Sequence, residues 1–595
     1  MLLAHASPPE GAGLFTGLAA FGADWSYVLG PLAVMAAIAV ALGVYGHERG
    51  TGPGPLRDFA AGAARLIGLD DWAAASFVVL LGGCVFAVEG FLWDVAWHIA
   101  LGRDEFLFSP PHVCLLLGIG LLGVAGLVGI ARATVTGAEV GWRVRGLRVP
   151  FGAAVLTVAG GVALVGFGVD ELWHAAYGID VTMWSPPHLS MISAAAFSPM
   201  AAWLIMAEAG MGSVPRAWRY ALSGFATGAT LVALSAWQLE FDLGVPQWRQ
   251  AFHPLLVALA AGFALSAARA ALGRGGALLA VVRFVVIRTA LLALVTLVWH
   301  LPIPRFVPYV AAAVAVEAAF LLSRGRSTAR TGVLAGIGVA TLGLAGAAAL
   351  TQWWSWNPWT PGLWRAAVPV LATAIAASVL GTAFGNVTAR RPGGLRAWQV
   401  ALSFGAIVVA AGSLLPRTTP ELTADIRTSA MGEGFIRLDV GIQPAGAAQG
   451  AERFQAMAWQ GGDLVVAPLR RGEDGRYRTD LPVPVGGDWK TMVRIARGSD
   501  LGAVPVSMPA DAVIDAPAVP LAAHRRGPFL PEAHVLLREA HNGPAWPAQV
   551  GYVFVVLSVG SIIGMLLAGT VALDRRRAST PAGDGLRTAA ARSAA

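Results

Sequence analysis

The sequence predicts an all-α polytopic membrane bundle of about thirteen transmembrane helices, with internally duplicated helix hairpins, and an immunoglobulin-like β-sandwich before the last helix. Three observations support this class. Of the 595 residues, 56% are hydrophobic and only 13% are charged, whereas an ordinary soluble domain has roughly 25% charged residues. Apolar runs long enough to cross a hydrocarbon core of roughly 30 Å recur along the chain. A block of short alternating runs, typical of strands, precedes the final apolar run.

The apolar runs divide the chain into four parts. The first is a twelve-helix membrane domain over 1–415, with repeats near 74–132 and 150–209, and the second, 416–548, holds the β-sandwich and a short helical segment. A C-terminal transmembrane helix follows at 549–575, and 576–595 is expected to be a disordered tail. The runs lie near 27–46, 74–98, 110–132, 150–174, 186–209, 217–240, 251–272, 279–301, 307–323, 331–351, 365–388, 397–415 and 550–573.

The start of the chain, "MLLAHASPPEGAG", lacks the basic residues and the immediate apolar stretch of a secretory signal. The first apolar run is therefore expected to act as its own insertion signal. Arginines gather in alternate connections, such as 143–148 and 390–396, and in the tail "DRRR". Because short cytoplasmic loops collect basic residues, these connections and the C-terminus are predicted to be cytoplasmic, and the N-terminus and 416–548 extracytoplasmic. The net charge of +7 is then a topology signal, and no nucleic-acid partner is expected.

The block from Glu421 onward reads as strands at the spacing of a sandwich. Its alternating runs are "FIRLDVGIQ", "ERFQAMAWQ", "DLVVAPL", "WKTMVRIARG" and "GAVPVSM", separated by Gly, Pro and Asp. Between 416 and 523 there is no His and no Cys, which excludes a blue-copper centre in the sandwich, because that centre needs two His and a Cys. Cys84 and Cys114 are the only cysteines and both fall in predicted helices, so neither a disulfide framework nor a cysteine zinc site is expected.

One polar segment occurs twice in the membrane domain, each time between two apolar runs. The copies are "DVAWHIALGRDEFLFSPPH", over 94–112, and "DELWHAAYGIDVTMWSPPH", over 170–188. The positions of the Asp, His, Gly, Asp, Ser and Pro-Pro-His residues are identical in the two copies. Duplication of a helix hairpin is the simplest origin of this pattern.

The spacing within the repeated polar segment brings three ionisable side chains together in each copy. An Asp and a His four residues apart at the end of a helix project from one face, and "SPPH" is typical of a helix start with Ser as the N-cap. If the two helices are antiparallel, the second His returns beside the first pair. The predicted groups are Asp94, His98 and His112 in the first hairpin and Asp170, His174 and His188 in the second.

Two imidazoles and a carboxylate at membrane depth indicate a transition-metal site, because ionisable groups are expensive there without partners. The set suits Zn²⁺, non-haem Fe²⁺ or Cu²⁺, and copper generally binds nitrogen and oxygen sites most tightly. Magnesium and calcium fit poorly. The alternative is a polar network in which Asp–His and Arg–Asp pairs clamp the hairpin ends without a metal.

The first copy resembles the C subunit of the copper membrane monooxygenases, the particulate methane and ammonia monooxygenases. The copper-ligand segment of that family also has Asp, then Trp-His, Arg-Asp, Phe and Pro-x-His, and the matching residues are Asp94, Trp97, His98, Arg103, Asp104, Phe108, Pro110 and His112. The resemblance implies copper on Asp94, His98 and His112 and, through the repeat, on the second group. It covers about twenty residues, the family spacing between the histidines is one residue shorter, and Ile179 replaces the Arg in the second copy.

Further polar residues are candidate auxiliaries. Asp104 and Asp180 are expected to orient an imidazole or cap a loop rather than bind metal. A fainter third copy, "WQLEFDLGVPQWRQAFHP", contains Glu240, Asp242 and His253, which either complete a polar cavity beside the two sites or face water at the mouth of a hairpin.

Together these features predict a copper-binding membrane protein with iron or zinc as the alternative metals. The expected activity is O₂-dependent oxidation of a small apolar substrate supplied by the bilayer. The alternatives from other classes are a copper transport or acquisition protein, and a membrane scaffold whose sandwich binds a membrane or extracytoplasmic protein partner.

Overall fold

The computed structural model describes residues 33–42, 54–101, 108–178, 182–324, 326–415, 419–460, 463–498, 500–540, 543 and 545–578. Its helices are α1 Ala33–Leu42, α2 Pro55–Ile67, α3 Asp71–Leu101, α4 Pro110–Val135, α5 Phe151–Tyr177, α6 Pro186–Ala209, α7 Arg216–Ser235, α8 Leu239–Leu243, α9 Phe252–Leu272, α10 Gly276–Leu297, α11 Val310–Leu322, α12 Thr328–Trp354, α13 Pro361–Thr388, α14 Ala397–Ser413, α15 Glu532–Leu536 and α16 Ala545–Ala578.

Several of these helices are suited to a bilayer. Within the described residues, nine are long and apolar enough to cross a membrane: α3, α4, α5, α6, α9, α10, α12, α13 and α16. Three predicted spans correspond to shorter apolar helices, α1, α11 and α14. The predicted span 217–240 corresponds to α7, which begins with the polar stretch "RAWRY" and is not among the nine. A multi-pass membrane protein is thus supported, and the number thirteen stays a prediction.

The hairpin α3–α4 is held by glycines that let the two backbones touch. A Cβ on Gly118 of α4 would lie 2.2 Å from the backbone nitrogen of Ala87, and a Cβ on Gly90 of α3 would lie 2.5 Å from that of Leu115. Small residues at helix contacts allow this close approach in membranes. The pairing brings the end of α3 beside the start of α4, which is where the first polar segment lies.

The chain from Thr423 to Pro531 forms the β-domain. Its strands are β3 Thr423–Ala430, β4 Phe435–Gln443, β5 Arg453–Gln460, β6 Asp463–Arg471, β7 Tyr477–Thr479, β8 Val483–Pro484, β9 Lys490–Arg497, β10 Asp500–Ser507, β11 His524–Pro528 and β12 Leu530–Pro531, while β1 Trp142–Val144 and β2 Leu147–Val149 form a separate hairpin. The order is β11-β3-β4-β7-β6-β5-β9-β10-β12, with β8 beside β4, and the pairs are antiparallel. The five predicted strand runs coincide with β4, β5, β6, β9 and β10. An immunoglobulin-like topology stays a prediction.

The β-domain packs on the end of the helical domain that carries the two polar segments. Trp459 of β5 donates its indole N–H to the carbonyl of Ile99, 2.6 Å away, immediately after His98 in α3. Arg249, between α8 and α9, forms a buried ion pair with Glu452, with 2.9 Å between Nη2 and Oε1. Arg494 of β9 donates to the carbonyl of Pro246. These contacts fix the β-domain against the end of the helical domain where the candidate sites lie.

Candidate metal sites

The first site lies where α3 ends and α4 begins. Asp94 and His98 are one helical turn apart on α3, with 3.3 Å between Oδ1 and the imidazole Nε2. His112, in the first turn of α4, places its own Nε2 3.1 Å from the same oxygen. His112 is buried, and Asp94 and His98 are mostly so. Two imidazoles therefore converge on one carboxylate oxygen, as the spacing predicts.

The second hairpin repeats this arrangement. Asp170 and His174 are a turn apart on α5, with 3.5 Å between Oδ2 and Nε2. His188, in the first turn of α6, places its Nε2 3.1 Å from the same Asp170 oxygen. The imidazole centroids are 6.2 Å apart, against 5.9 Å in the first site. In each site, both histidines thus present Nε2 to the same carboxylate oxygen.

The "SPPH" sequence places the second histidine of each group. Helices α4 and α6 begin at the Pro-Pro pair, where the missing N–H groups are not needed for helical hydrogen bonds. Ser185 has extended backbone geometry, and its side chain accepts a hydrogen bond from the backbone N–H of His188 at 3.4 Å. Ser109 occupies the same position before α4 without such a side-chain cap bond. His112 and His188 consequently sit on the rigid first turns of their helices.

The surroundings of His188 determine which ring nitrogen is free to bind a metal. Its Nδ1 lies 2.7 Å from the carbonyl oxygen of Thr182. A carbonyl oxygen only accepts hydrogen bonds, so Nδ1 carries the proton and the neutral ring has a lone pair on Nε2. That lone pair faces the Asp170 carboxylate. The arrangement requires either a proton in the contact between Nε2 and Oδ2, carried by one of the two groups, or a cation between them.

Both groups have the composition and closeness of a metal site. In each, one ligand atom from every residue lies within 4.8 Å of the others, so each group can hold a metal ion. Oδ1 of Asp170 is buried and makes no hydrogen bond to any described residue, and such a buried oxygen requires a compensating partner. Three nitrogen and oxygen donors suit Zn²⁺, Fe²⁺ or Cu²⁺ and leave further coordination positions open.

The two sites are neighbours and share one cavity. The ring of His112 packs edge-on against Phe167, with 6.0 Å between centroids. Phe167 lies three residues before Asp170 on α5, so the first site contacts the helix that carries the second. A cavity of about 610 Å³ is lined by residues of both groups, among them Asp94, His112 and His188. Residues of both sites therefore face the same cavity.

The third polar segment is buried and does not face water. Glu240 lines the same cavity, and its Oε2 accepts hydrogen bonds from the indole N–H of Trp184 and from the backbone N–H of Gln247, each at 3.1 Å. Asp242 forms a buried ion pair with Arg288, 2.7 Å between Oδ2 and Nη2. The water-facing alternative is therefore wrong for both carboxylates.

His253 is buried but is not among the residues that line the cavity. It stacks on Phe241, with 5.0 Å between ring centroids, and Trp359 donates its indole N–H to Nδ1 at 3.1 Å. It packs beside the polar segment and does not join either metal group. Arg103, Asp104 and Asp180, the other auxiliary candidates, lie outside the described residues.

Two residues that bear on the site had no role in the sequence interpretation. Arg288, within the apolar run of α10, lines the cavity and pairs with Asp242. The signal was a lone arginine inside a predicted span, because an intramembrane charge needs a partner. Trp459 donates a hydrogen bond to the end of α3 from 360 residues away along the chain, and no local sequence pattern predicts such a contact.

Comparisons with known proteins give no family for this chain: no protein-family model, no curated protein and no solved structure matches it.

Proposed function

We propose that the protein binds two copper ions on the extracytoplasmic side of the membrane, one in each Asp/His/His group, and uses them in O₂-dependent oxidation of an apolar substrate. The convergence of two imidazole nitrogens on one carboxylate oxygen, repeated in two hairpins, carries the proposal. Copper is chosen because it binds nitrogen and oxygen sites most tightly among the first-row divalent ions. In addition, the first polar segment, 94–112, resembles the copper-ligand segment of the copper membrane monooxygenases.

The residues of the chain have separable roles in this function. Asp94, His98 and His112 would hold one ion, and Asp170, His174 and His188 the other. Thr182 fixes the His188 tautomer through its carbonyl, which keeps Nε2 available as a ligand. The apolar walls of the shared cavity suit an apolar substrate. A bound copper ion would supply the redox chemistry of O₂.

Metal content tests the proposal directly. Full-length protein purified with copper is expected to contain two ions per chain. His98→Ala and His174→Ala are each expected to lose one, and the double variant both. His524→Ala is the matched control, because His524 also contacts an aspartate, Asp425 at 2.9 Å, but is exposed and in neither group. Copper, iron and zinc at background in the wild type would leave a metal-free polar clamp.

A second experiment separates oxidation from transport. Protein reconstituted in vesicles with copper and a reductant is expected to consume O₂, and the His98→Ala and His174→Ala double variant is expected not to. Copper uptake by cells is expected to be the same with wild type and double variant. Uptake that depends on the six ligands without O₂ consumption would indicate copper acquisition. Metal-free protein that retains a protein partner through the β-domain would indicate a scaffold.

A further inference from the structure

The cavity that joins the two metal groups is large and mostly apolar. Its volume of about 610 Å³ falls within the range of roughly 300–1,000 Å³ for pockets that enclose drug-sized ligands. A molecule of one or two carbon atoms would leave most of this space unfilled. The volume therefore points to a larger occupant.

The cavity is also long. Leu81 and Asp94 both line it from α3, and thirteen residues of helix span roughly 20 Å. The lining continues beyond Asp94 to Trp459, Lys490 and Val513 of the β-domain, so the cavity extends further still. An elongated cavity of this kind suits an extended chain.

The polarity of the walls changes along this length. Around Asp94 and His188 the lining also includes Glu240, Gln247 and Arg288. At the opposite end the walls are apolar apart from Cys84 and Ser198, whose side chains contact each other at 3.5 Å. A ligand with an extended apolar body fits this gradient, and its terminal carbons or a small polar end would lie beside the metal groups.

The apolar end reaches the outer surface of the bundle. Leu81 and Val85 line the cavity and are nevertheless 41% and 50% exposed, on a helix suited to span the bilayer. Ile287 and Leu291 of α10 line the cavity and are partly exposed as well. The wall at this end is thus continuous with the surface that faces lipid, which gives a ligand a route from the bilayer.

We infer that the cavity binds a single-chain apolar lipid, with an alkyl or isoprenoid body, that enters from the bilayer beside Leu81 and Val85. The inference rests on the proposed function for the fate of this molecule, which would be the substrate presented to both metal groups. Its binding depends on the cavity alone.

Photolabelling of metal-free, full-length protein in phosphatidylcholine vesicles tests the inference. The probe is hexadecan-1-ol with a diazirine in mid-chain, and labelled residues are mapped by peptide mass spectrometry. Labelling is expected on the cavity-facing residues of α3, α4 and α7, with at least a ten-fold decrease when excess hexadecan-1-ol competes. Octan-1-ol is expected to need a higher concentration for the same decrease, because it buries less apolar surface.

Two variants provide the matched comparison. Ala229→Trp places an indole in the cavity, since Ala229 of α7 is buried and lines it, and should abolish competable labelling. Val286→Trp adds the same side chain on α10 at a position that is 62% exposed and outside the lining, and should leave it unchanged. If Ala229→Trp fails to fold, Ala233→Leu, which also lines the cavity, should lower the labelling by a smaller factor.

The outcomes separate this inference from the proposed function. Labelling of wild type that is confined to lipid-facing residues and is unaffected by hexadecan-1-ol would overturn the lipid site even if two copper ions are bound. Competable cavity labelling, together with copper, iron and zinc contents that stay at background when these metals are supplied to the protein, would support the lipid site and overturn the oxidation proposal. His174→Ala, at a residue that is not among those lining the cavity, should change metal content without changing the labelling.

Discussion

At the scale of the residue, the main feature is a carboxylate oxygen approached by two imidazole nitrogens, which occurs twice. The grouping of the six candidate ligands could be predicted because helix periodicity and the Pro-Pro-His start determine where their side chains point. The partners of Glu240 and His188 could not be predicted. The Trp184 indole and the Thr182 carbonyl reach them from the irregular segment just before α6, whose contacts no local pattern predicts.

Replacement of Asp170 tests the independence of the two sites. Asp170→Asn removes the charge shared by His174 and His188 while keeping the size of the side chain. We expect copper content to fall from two ions per chain to about one, with an affinity loss at the second site of at least the roughly 10–100-fold seen when supporting groups of metal ligands are changed. Quantitative metal analysis and equilibrium competition with a chelator measure this.

Asp425→Asn is the control, because Asp425 contacts a single imidazole and arginine side chains on the β-domain surface. It should retain both ions. Loss of both ions from Asp170→Asn would show that the two groups form one interdependent centre.

At the scale of the element, the hairpin α3–α4 depends on glycine contacts that apolar periodicity alone does not reveal. The sequence predicts both helices and their antiparallel pairing. Which glycines lie against the neighbouring backbone depends on helix rotation, and the structure shows that Gly118 does and that Gly120 does not.

Substitution of Gly118 should separate the ligands of the first site. Gly118→Val brings a side chain against the backbone of Ala87, where even a Cβ would lie at 2.2 Å. Overpacking of this kind costs about 1–3 kcal/mol and should move His112 away from Asp94. We expect a lower melting temperature and about one copper ion per chain instead of two.

Gly120→Val is the matched control on the same helix, because a Cβ at that position meets nothing within 4 Å. It should melt and bind copper like the wild type. Equal behaviour of the two variants would contradict the close packing of α3 on α4.

The attachment of α15 to the β-domain depends on a buried charge cluster. Glu532 contacts Arg453 of β5, 2.9 Å between Oε1 and Nη2, and also Arg494 of β9. Burial raises the pKa of Glu532, but the two guanidinium groups outweigh it, so the pKa lies below its usual value of 4.5. The stabilisation is therefore complete above the usual glutamate range and is lost as the pH falls through the lowered pKa.

Glu532→Gln should accordingly cost about 3–5 kcal/mol at neutral pH, because it leaves buried guanidinium charge uncompensated. Thermal unfolding of the full-length protein as a function of pH measures this cost, and the gap between wild type and variant should narrow in acid. Glu473→Gln, at an exposed position, should track the wild type throughout. A gap that is constant with pH would contradict the ionised form of Glu532.

At the scale of the whole molecule, a β-domain covers the end of the helical bundle where the candidate sites lie. The strand runs predict β4, β5, β6, β9 and β10 well. Buried positions alternate along β4, whereas β9 and β10 are buried on both faces. The docking of this domain could not be predicted, since Trp459–Ile99 and Arg249–Glu452 join residues hundreds of positions apart. The membrane orientation comes from the arginine distribution and stays a prediction.

Lys490 offers a direct test of orientation because it is the only lysine in the sequence. It lies in the β-domain with its ammonium over the Trp459 ring, 5.1 Å from the centroid. A membrane-impermeant amine reagent applied to intact cells is expected to modify Lys490, as mapped by mass spectrometry, and Lys490→Arg should remove that label. Modification only after the cells are lysed would place the β-domain in the cytoplasm.

Anomalous diffraction from crystals of copper-loaded protein, recorded on both sides of the copper absorption edge, tests the metal sites most directly. We predict two peaks, one between Asp94, His98 and His112 and one between Asp170, His174 and His188, each roughly 2.0–2.2 Å from its donor atoms, as is usual for nitrogen and oxygen ligands of a first-row ion. The absence of a copper peak at both groups, in crystals of protein saturated with the metal, would contradict the account.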